Sequence, residues 1–405
     1  MTADSDAHAA TRPHRPTVGA RLAERLLKRV IRSVTVGRLT VVTPEGGRLW
    51  NEPSARGRDA VIVLHSWRAL TALFAKGEIG FAEAYIAGHW STPDLAELLW
   101  LADENGEAIR SAAPGSWLAS TIRRLFHATH RNSRRGSRRN IAFHYDLGNE
   151  FYRLWLDPSM SYSSALYFGD EQSLEIAQET KLARIADHLE VRPGQRVLEI
   201  GCGWGTLARR LADAGAEVSA VTLSREQFDH ACEAAASDAR PAQFLFRDYR
   251  DLEGQYDRIV SIEMLEAVGE RYWPVYFAKL RDLLSPGGRV VLQVITIAED
   301  RFAQYRRQPD FIQRYVFPGG MLPTPSRIAL EAEKAGLRLA QAEHFGGSYA
   351  LTLAEWRRRF GASWPQIERL GFGEEFRRLW EYYLAYCETG FRTGATDVGL
   401  YVLEK

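Results

Sequence analysis

The sequence predicts an α/β protein in two parts: a mostly parallel sheet with helices on both faces, preceded by a smaller α+β unit. Three observations carry this prediction. Arg196–Gly205 (RVLEIGCGWG) reads as a buried strand that runs into glycines at alternate positions, and Leu207, Ala208, Leu211 and Ala212 then recur at helical spacing. Apolar runs and amphipathic stretches alternate from Ser173 to Ile295 at the spacing of right-handed βαβ units. Composition breaks at Arg123–Arg139, which holds seven arginines and no acidic residue, so the chain divides there.

Taken in order, residues 1–17 are small, polar and proline-containing, the composition of a disordered segment. Val18–Val34 sets Leu22, Leu26, Leu27, Val30 and Ile31 among Arg21, Arg25, Lys28, Arg29 and Arg32. That is a basic amphipathic helix, suited to an anionic membrane surface or to packing on its own domain. Leu39–Leu49 and Ala60–Leu64 read as strands around the Glu45-Gly46-Gly47 turn, and Trp67–Phe74 as a helix. Gly77–Trp90 suggests compact helix–turn packing, and Pro93–Leu101 a further helix. Residues 18–122 therefore form the α+β domain. Residues 123–139 are a flexible linker by composition and also a polybasic patch, where each cation near an anionic leaflet contributes ~1 kcal/mol. No interleaved aromatics accompany the arginines, which argues against base stacking and a nucleic-acid partner.

Residues 140–405 read as one domain. Ser173–Leu189 is a helix, and Pro193-Gly194 turns into the glycine-motif strand. Strands follow at Glu217–Thr222, Gln243–Arg247, Asp257–Ile262 and Arg289–Ile295, with helices at Arg225–Ala236 and Pro274–Leu284, the latter closed by Pro286-Gly287-Gly288. Ligands of such sheets sit at the carboxyl ends of the strands, which places Thr222–Ser224, Asp248–Arg250, Glu263–Gly269 and Gln293–Ile297 beside the glycine turn. The turn spacing is G-x-G-x-G, with no P-loop lysine after it. It points away from dinucleotides and towards S-adenosylmethionine (SAM), which has no phosphate to cradle.

Charge is nearly balanced, 52 basic against 51 acidic residues, so global charge implies no nucleic-acid partner. Cys202, Cys232 and Cys387 lie far apart without a C-x-x-C pair, so neither a disulfide framework nor a structural metal site is expected, and a reducing compartment fits. No apolar run approaches the ~20 residues that span a bilayer. The expected location is cytoplasmic, at most peripheral to the inner face of the membrane.

Several ordered segments resemble the cyclopropane-fatty-acid synthases and their mycolic-acid relatives, which are class I SAM-dependent methyltransferases. They are HYDLGNEFYRLWLDPSMSYSSALYF (His144–Phe168), VLEIGCGWG, AVTLSREQ (Ala220–Gln227), RDYRDL (Arg247–Leu252), SIEMLEAVG (Ser261–Gly269), YVFPGGMLPT (Tyr315–Thr324) and YYLAYCETGFRTG (Tyr382–Gly394). The resemblance covers about two thirds of the chain. Generic methyltransferases carry an acid at the end of the second strand; here Thr222 stands there, as in this family's V-T-L-S pattern.

The resemblance implies methyl transfer from SAM to the cis double bond of an unsaturated phospholipid acyl chain, giving a cyclopropane fatty acid through a carbocation and proton loss. Tyr162, Ser163, Gly201, Gly203, Thr222, Leu223, Gln227, Tyr249 and Arg250 are implied to contact SAM. Family members hold a bicarbonate ion, whose ligand positions map to Ser164, Glu266, Gln293, the Ile295 main chain and Tyr349. Ser164 and Gln293 replace a cysteine and a histidine, and glutamine can neither carry a proton nor take a positive charge. Glu266 is expected to be central, with Tyr349 and Cys387 as further catalytic positions, although Cys387 also reads as packed core within an aromatic helix. His144, Tyr145, Phe168 and Tyr315 are expected along an apolar substrate channel. The altered anion ligands keep a rival outcome open: hydride shift and proton loss would give a methylene branch, which needs a separate reductase to become a methyl branch. A non-catalytic SAM- or lipid-binding protein is the reading from another class, and the retained glycine turn, Glu266 and Tyr349 argue against it. The resemblance also implies a homodimer formed through the N-terminal domain.

Overall fold

The computed structural model describes residues 18–112, 147–169 and 171–405, with side chains from Ala23 onward. The N-terminal segment 1–17, the arginine-rich linker, His144 and Tyr145 lie outside the described residues. The first part comprises α1 (Val18–Ser33), β1 (Val36–Val42), β2 (Arg48–Trp50), β3 (Ala55–Leu64), α2 (Arg68–Lys76), α3 (Glu78–Ile86), β4 (Trp90–Ser91), α4 (Leu95–Glu104) and α5 (Gly106–Ala112). Its sheet runs β2-β1-β3-β4, with β1 and β3 parallel and the two outer pairs antiparallel. Asp94 caps α4 by accepting from the Ala96 and Glu97 N–H groups, at 3.0 and 3.2 Å.

The second part begins with the short helix α6 (Asn149–Arg153) and then α7 (Leu174–Leu189), capped by Ser173. Next come β5 (Arg196–Ile200), α8 (Thr206–Asp213), β6 (Glu217–Thr222), α9 (Arg225–Ala235), β7 (Gln243–Phe246), β8 (Tyr256–Ile262), α10 (Leu265–Val268), α11 (Trp273–Leu283) and β9 (Leu284–Ile297). The chain finishes with α12 (Glu299–Tyr305), α13 (Phe311–Tyr315), α14 (Pro325–Lys334), β10 (Arg338–His344), α15 (Gly346–Arg369), α16 (Glu374–Arg392) and β11 (Thr396–Glu404).

Seven strands make one sheet in the order β10-β11-β9-β8-β5-β6-β7. Five of them are parallel, as expected, and β11 lies antiparallel between β9 and β10. The central strands are buried on both faces, which is why Val197, Leu198 and Ile200 of β5 form an almost unbroken apolar run. Chain direction through the sheet reverses between β5 and β8, so the turn after β5 opens at the switch point where α/β ligands bind. One expected boundary is corrected. Pro286-Gly287-Gly288 does not close a helix but lies inside β9, where the pairing with β8 shifts register between Tyr256 and Arg258.

The two parts share a core. Trp90, Ala96, Leu98 and Leu101 from the first pack in one apolar cluster with Tyr382, Ala385 and Phe391 of α16. Polar contacts pin the same seam: Tyr85 Oη donates to Glu381 Oε2 at 3.1 Å, and Asp103 pairs with Arg301 at 2.9 Å. Among the described residues no helix is long and apolar enough to cross a membrane.

Candidate active site

A cleft opens over the carboxyl ends of β5, β6 and β8. Its floor is the turn Gly201-Cys202-Gly203-Trp204-Gly205, whose three glycines all have positive φ, a region that side-chain-bearing residues avoid. Gly201 and Cys202 N–H groups both donate to Val221 O, at 2.9 and 3.1 Å, which ties the turn to the end of β6. A Cβ at Gly203 would meet no neighbour within 4 Å, because that position faces open space.

The segment Ser159–Ser164 forms the opposite wall. Asp157 holds its start through the Ser159 and Ser161 N–H groups. Thr206 Oγ1 donates to Ser159 O at 2.6 Å, and Gln178 Nε2 donates to Ser163 O at 2.9 Å. Tyr162, Ser163, Gly201, Gly203, Thr222, Leu223, Gln227 and Tyr249, all expected around the cofactor, line this one cleft. Thr222, standing where an acid is more usual, donates from Oγ1 to Gln227 Oε1 at 3.0 Å and so fixes that amide. Arg250 stands apart. Its guanidinium is folded onto Asp248 through two hydrogen bonds of 2.8 and 2.6 Å, and its neighbour Arg247 lines the cleft instead.

Deeper in, the expected anion ligands converge, but on a different centre. Glu263 Oε1 accepts from Ser164 N and Gln293 Nε2, both at 2.8 Å, and its Oε2 accepts from Tyr349 Oη at 2.7 Å. A side chain of the protein therefore fills the cradle expected to hold a free anion. Glu263 adopts φ +49°, a glycine-favoured conformation, and it lines the cleft. Glu266 has a different partner: its Oε1 accepts from the Ile295 N–H, and its Oε2 has none among the described residues. Gln293 also leaves its Oε1 without a partner.

Electrostatics separate the two carboxyls. Both keep a fraction of their surface accessible, yet protein surrounds them. Burial raises the Glu263 carboxyl above its ordinary range, while the Ser164, Tyr349 and Gln293 hydrogen bonds and the Lys181 charge pull it back. Burial and then the Glu263 charge push Glu266 up to about 8, with only main-chain hydrogen bonds opposing. At neutral pH Glu266 is thus the protonated member of the pair, and Glu263 is the one whose ionised form the site supports.

Two more buried titratable side chains border the cleft. Burial lowers Lys181 to about 8, and it raises Glu199 to about 8. Neither was foreseen as a site residue. The signal for Lys181 was its place on the apolar stripe of α7, with Leu174, Ala177, Leu182 and Ile185. Glu263 lay within a quoted motif, but nothing in its spacing distinguished it from Glu266.

Aromatic rings complete the interior. Tyr162 lies 5.3 Å from Trp356 and 5.6 Å from Trp155, and its Oη is 2.7 Å from that of Tyr383. Tyr349 stacks on Phe391 at 4.4 Å. Two expected channel residues point elsewhere. Phe168 is 67% exposed, with the Arg184 guanidinium 5.7 Å from its ring, because its loop runs over the surface. Tyr315 donates to Glu83 Oε1 of α3 at 2.6 Å and so bonds to the first part of the chain. Burial, then the Asp310 and Glu263 charges, push the Cys387 thiol far above the usual thiol range, which favours its protonated form and its packed-core role.

Comparison with known proteins agrees with the fold and the class of enzyme. The model of the mycolic acid cyclopropane synthetase family matches residues 132–400. The chain belongs to that family. Its members are SAM-dependent methyltransferases, and so is this protein. It is 39% identical over 392 residues to the tuberculostearic acid methyltransferase UfaA1 of Mycobacterium tuberculosis, covering 94% of this chain and 90% of that one. It is 40% identical over 259 residues to the cyclopropane-fatty-acyl-phospholipid synthase of Escherichia coli K12, covering 64% and 65%. Mycolic acid cyclopropane synthase CmaA1, solved with SAH and CTAB, superposes with a TM-score of 0.62 at 30% identity, over 66% of this chain and 98% of that chain. Coclaurine N-methyltransferase, at 17% identity and TM-score 0.62, shares the fold alone.

Proposed function

We propose that this methyltransferase acts on the cis double bond of an unsaturated acyl chain carried by a phospholipid, with Glu263 as the base, and that its product is a methylene branch. The observation that carries the reading is the Glu263 carboxylate seated in the cradle of Ser164, Gln293 and Tyr349. The cofactor fits the cleft: open space above Gly203 and eight expected contacts on one surface accept it. SAM supplies the electrophilic methyl group when bound.

The protein's own residues do the rest. The Ser159–Ser164 wall and the glycine turn hold the reactants in line and exclude water. The ring of Tyr162, which lines the cleft, stabilises positive charge on the acyl chain. One oxygen of the Glu263 carboxylate then receives a proton from the transferred methyl group. If that proton leaves at once, the new bond closes a ring. If hydride first moves from the methyl-bearing carbon to the neighbouring cationic carbon, the same proton loss leaves a methylene branch on the chain.

The tethered base supports the second course, because a base in a new, fixed position meets a different cation. The relative named for tuberculostearic acid supports it too, since it matches nearly the whole chain. The ring-forming course is favoured by the family's name and by the Escherichia coli relative, over about two thirds of the chain. A methylene product calls for a partner reductase to become a methyl branch. The test is incubation with SAM and vesicles of phospholipid bearing cis-monounsaturated chains, followed by proton NMR of the fatty acids, since ring and methylene have equal mass. Vinylidene protons are expected. High-field cyclopropane protons would establish ring closure instead.

A further inference from the structure

Lys181 is only 2% exposed, yet its ammonium reaches the cleft lining. Nζ donates to Ser163 Oγ at 2.9 Å, and among the described residues it forms no ion pair. A buried ammonium with one neutral partner is costly unless a ligand supplies an anion. Glu263, Asp157 and Glu199 favour its charged form from farther off. Glu199, on the same wall beside the glycine turn, has a buried Oε2 without a partner. Thr222 at the end of β6, Gln227 in α9 and Tyr249 after β7 bring no charge to the cleft, and Arg247, which also lines it, is exposed to solvent.

We propose that Lys181, together with the Ser163 hydroxyl it holds, is the anchor for the α-carboxylate of the methionine moiety of SAM. That carboxylate is the one anionic group of the cofactor, and Lys181 is the buried cation on the cleft wall that lacks an anion. The Ser163 hydroxyl, already accepting from Nζ, turns its own proton outward to the same carboxylate. Glu199 Oε2, on the same wall, is then placed to accept a hydrogen bond from the α-ammonium. This rests on the cofactor assignment and is independent of whether the product is a ring or a methylene.

The test is calorimetric binding of two ligands to Lys181→Met. S-adenosylhomocysteine keeps the amino-acid group; 5′-methylthioadenosine keeps the adenosine and sulfur but lacks it. The variant is expected to bind S-adenosylhomocysteine about 10- to 100-fold more weakly and methylthioadenosine within about twofold of the parent. Equal losses for both ligands, or no loss for either, would overturn the proposal. Should the variant not fold, the unmodified protein decides: it must bind decarboxylated SAM at least about 10-fold more weakly than SAM, and equal affinities sink the anchor.

Discussion

The cofactor wall and the base site border one cleft but are held by different physics. The cofactor wall comes from consecutive βα turns, where positive-φ glycines and main-chain bonds such as Gly201 N–H to Val221 O fix the shape. The Glu263 cradle gathers Ser164, Gln293 and Tyr349 from separate segments and holds them by charge-assisted hydrogen bonds to one carboxylate. A wall made of backbone spreads its binding energy over many small contacts. A site made of one carboxylate and three donors concentrates function in single atoms, so substitutions there should separate chemistry from cofactor binding.

The largest separation is expected from Glu263→Gln. Turnover should fall about 1,000-fold while affinity for S-adenosylhomocysteine stays within about threefold. Near-normal turnover in a steady-state assay would return the role of base to another group. Glu263→Gly is the sharper version, because glycine accepts φ +49° without strain and empties the cradle. Added bicarbonate or formate should restore at least about a tenth of the lost rate to this variant and leave the parent enzyme unaffected. Rescue that fails at every anion concentration would show that the cradle cannot hold a free anion.

Tyr349→Phe should have an intermediate effect, lowering kcat/KM about 10- to 100-fold, the scale of one hydrogen bond to a charged group. Tyr349 stabilises the ionised Glu263, so its loss raises that carboxyl further. The acid limb of the pH–rate profile should then move to higher pH; an unmoved limb would mean that the rate loss is only structural.

The smallest effect concerns Glu266, whose carboxyl is raised from 4.5 to about 8 in the folded state. A raised group contributes stability that is fully present below its unfolded value and is lost as pH climbs through the folded one. The window is therefore about 4.5 to 8. Glu266→Gln has nothing to titrate, so its Tm relative to the parent should improve by about 2–4 °C between pH 5 and pH 8. A difference flat with pH would place the proton elsewhere.

Elements with strong local signals were legible. β5, its glycine turn, β6 and β8 announce themselves through apolar runs and spacing, and the cofactor wall follows from them. β10 did not, because it is an edge strand whose residues are largely exposed and leave little alternation to read. β11, a buried run, pairs antiparallel with β9 from the far end of the chain, and sequence spacing does not encode that neighbour.

The sequence by itself determined the class of fold, the cofactor and the chemistry of the family, because these rest on local backbone geometry and on motifs that lie within short segments. Only the tertiary structure showed which glutamate Ser164, Gln293 and Tyr349 surround. Glu263 and Glu266 are three residues apart and chemically identical. What separates them is that Ser164, Gln293 and Tyr349 arrive around one, while the other receives a main-chain N–H and the repulsion of its neighbour. Lys181 teaches the same lesson: a charged residue on an apolar helical stripe acquires meaning once the fold shows that its ammonium ends at the cleft.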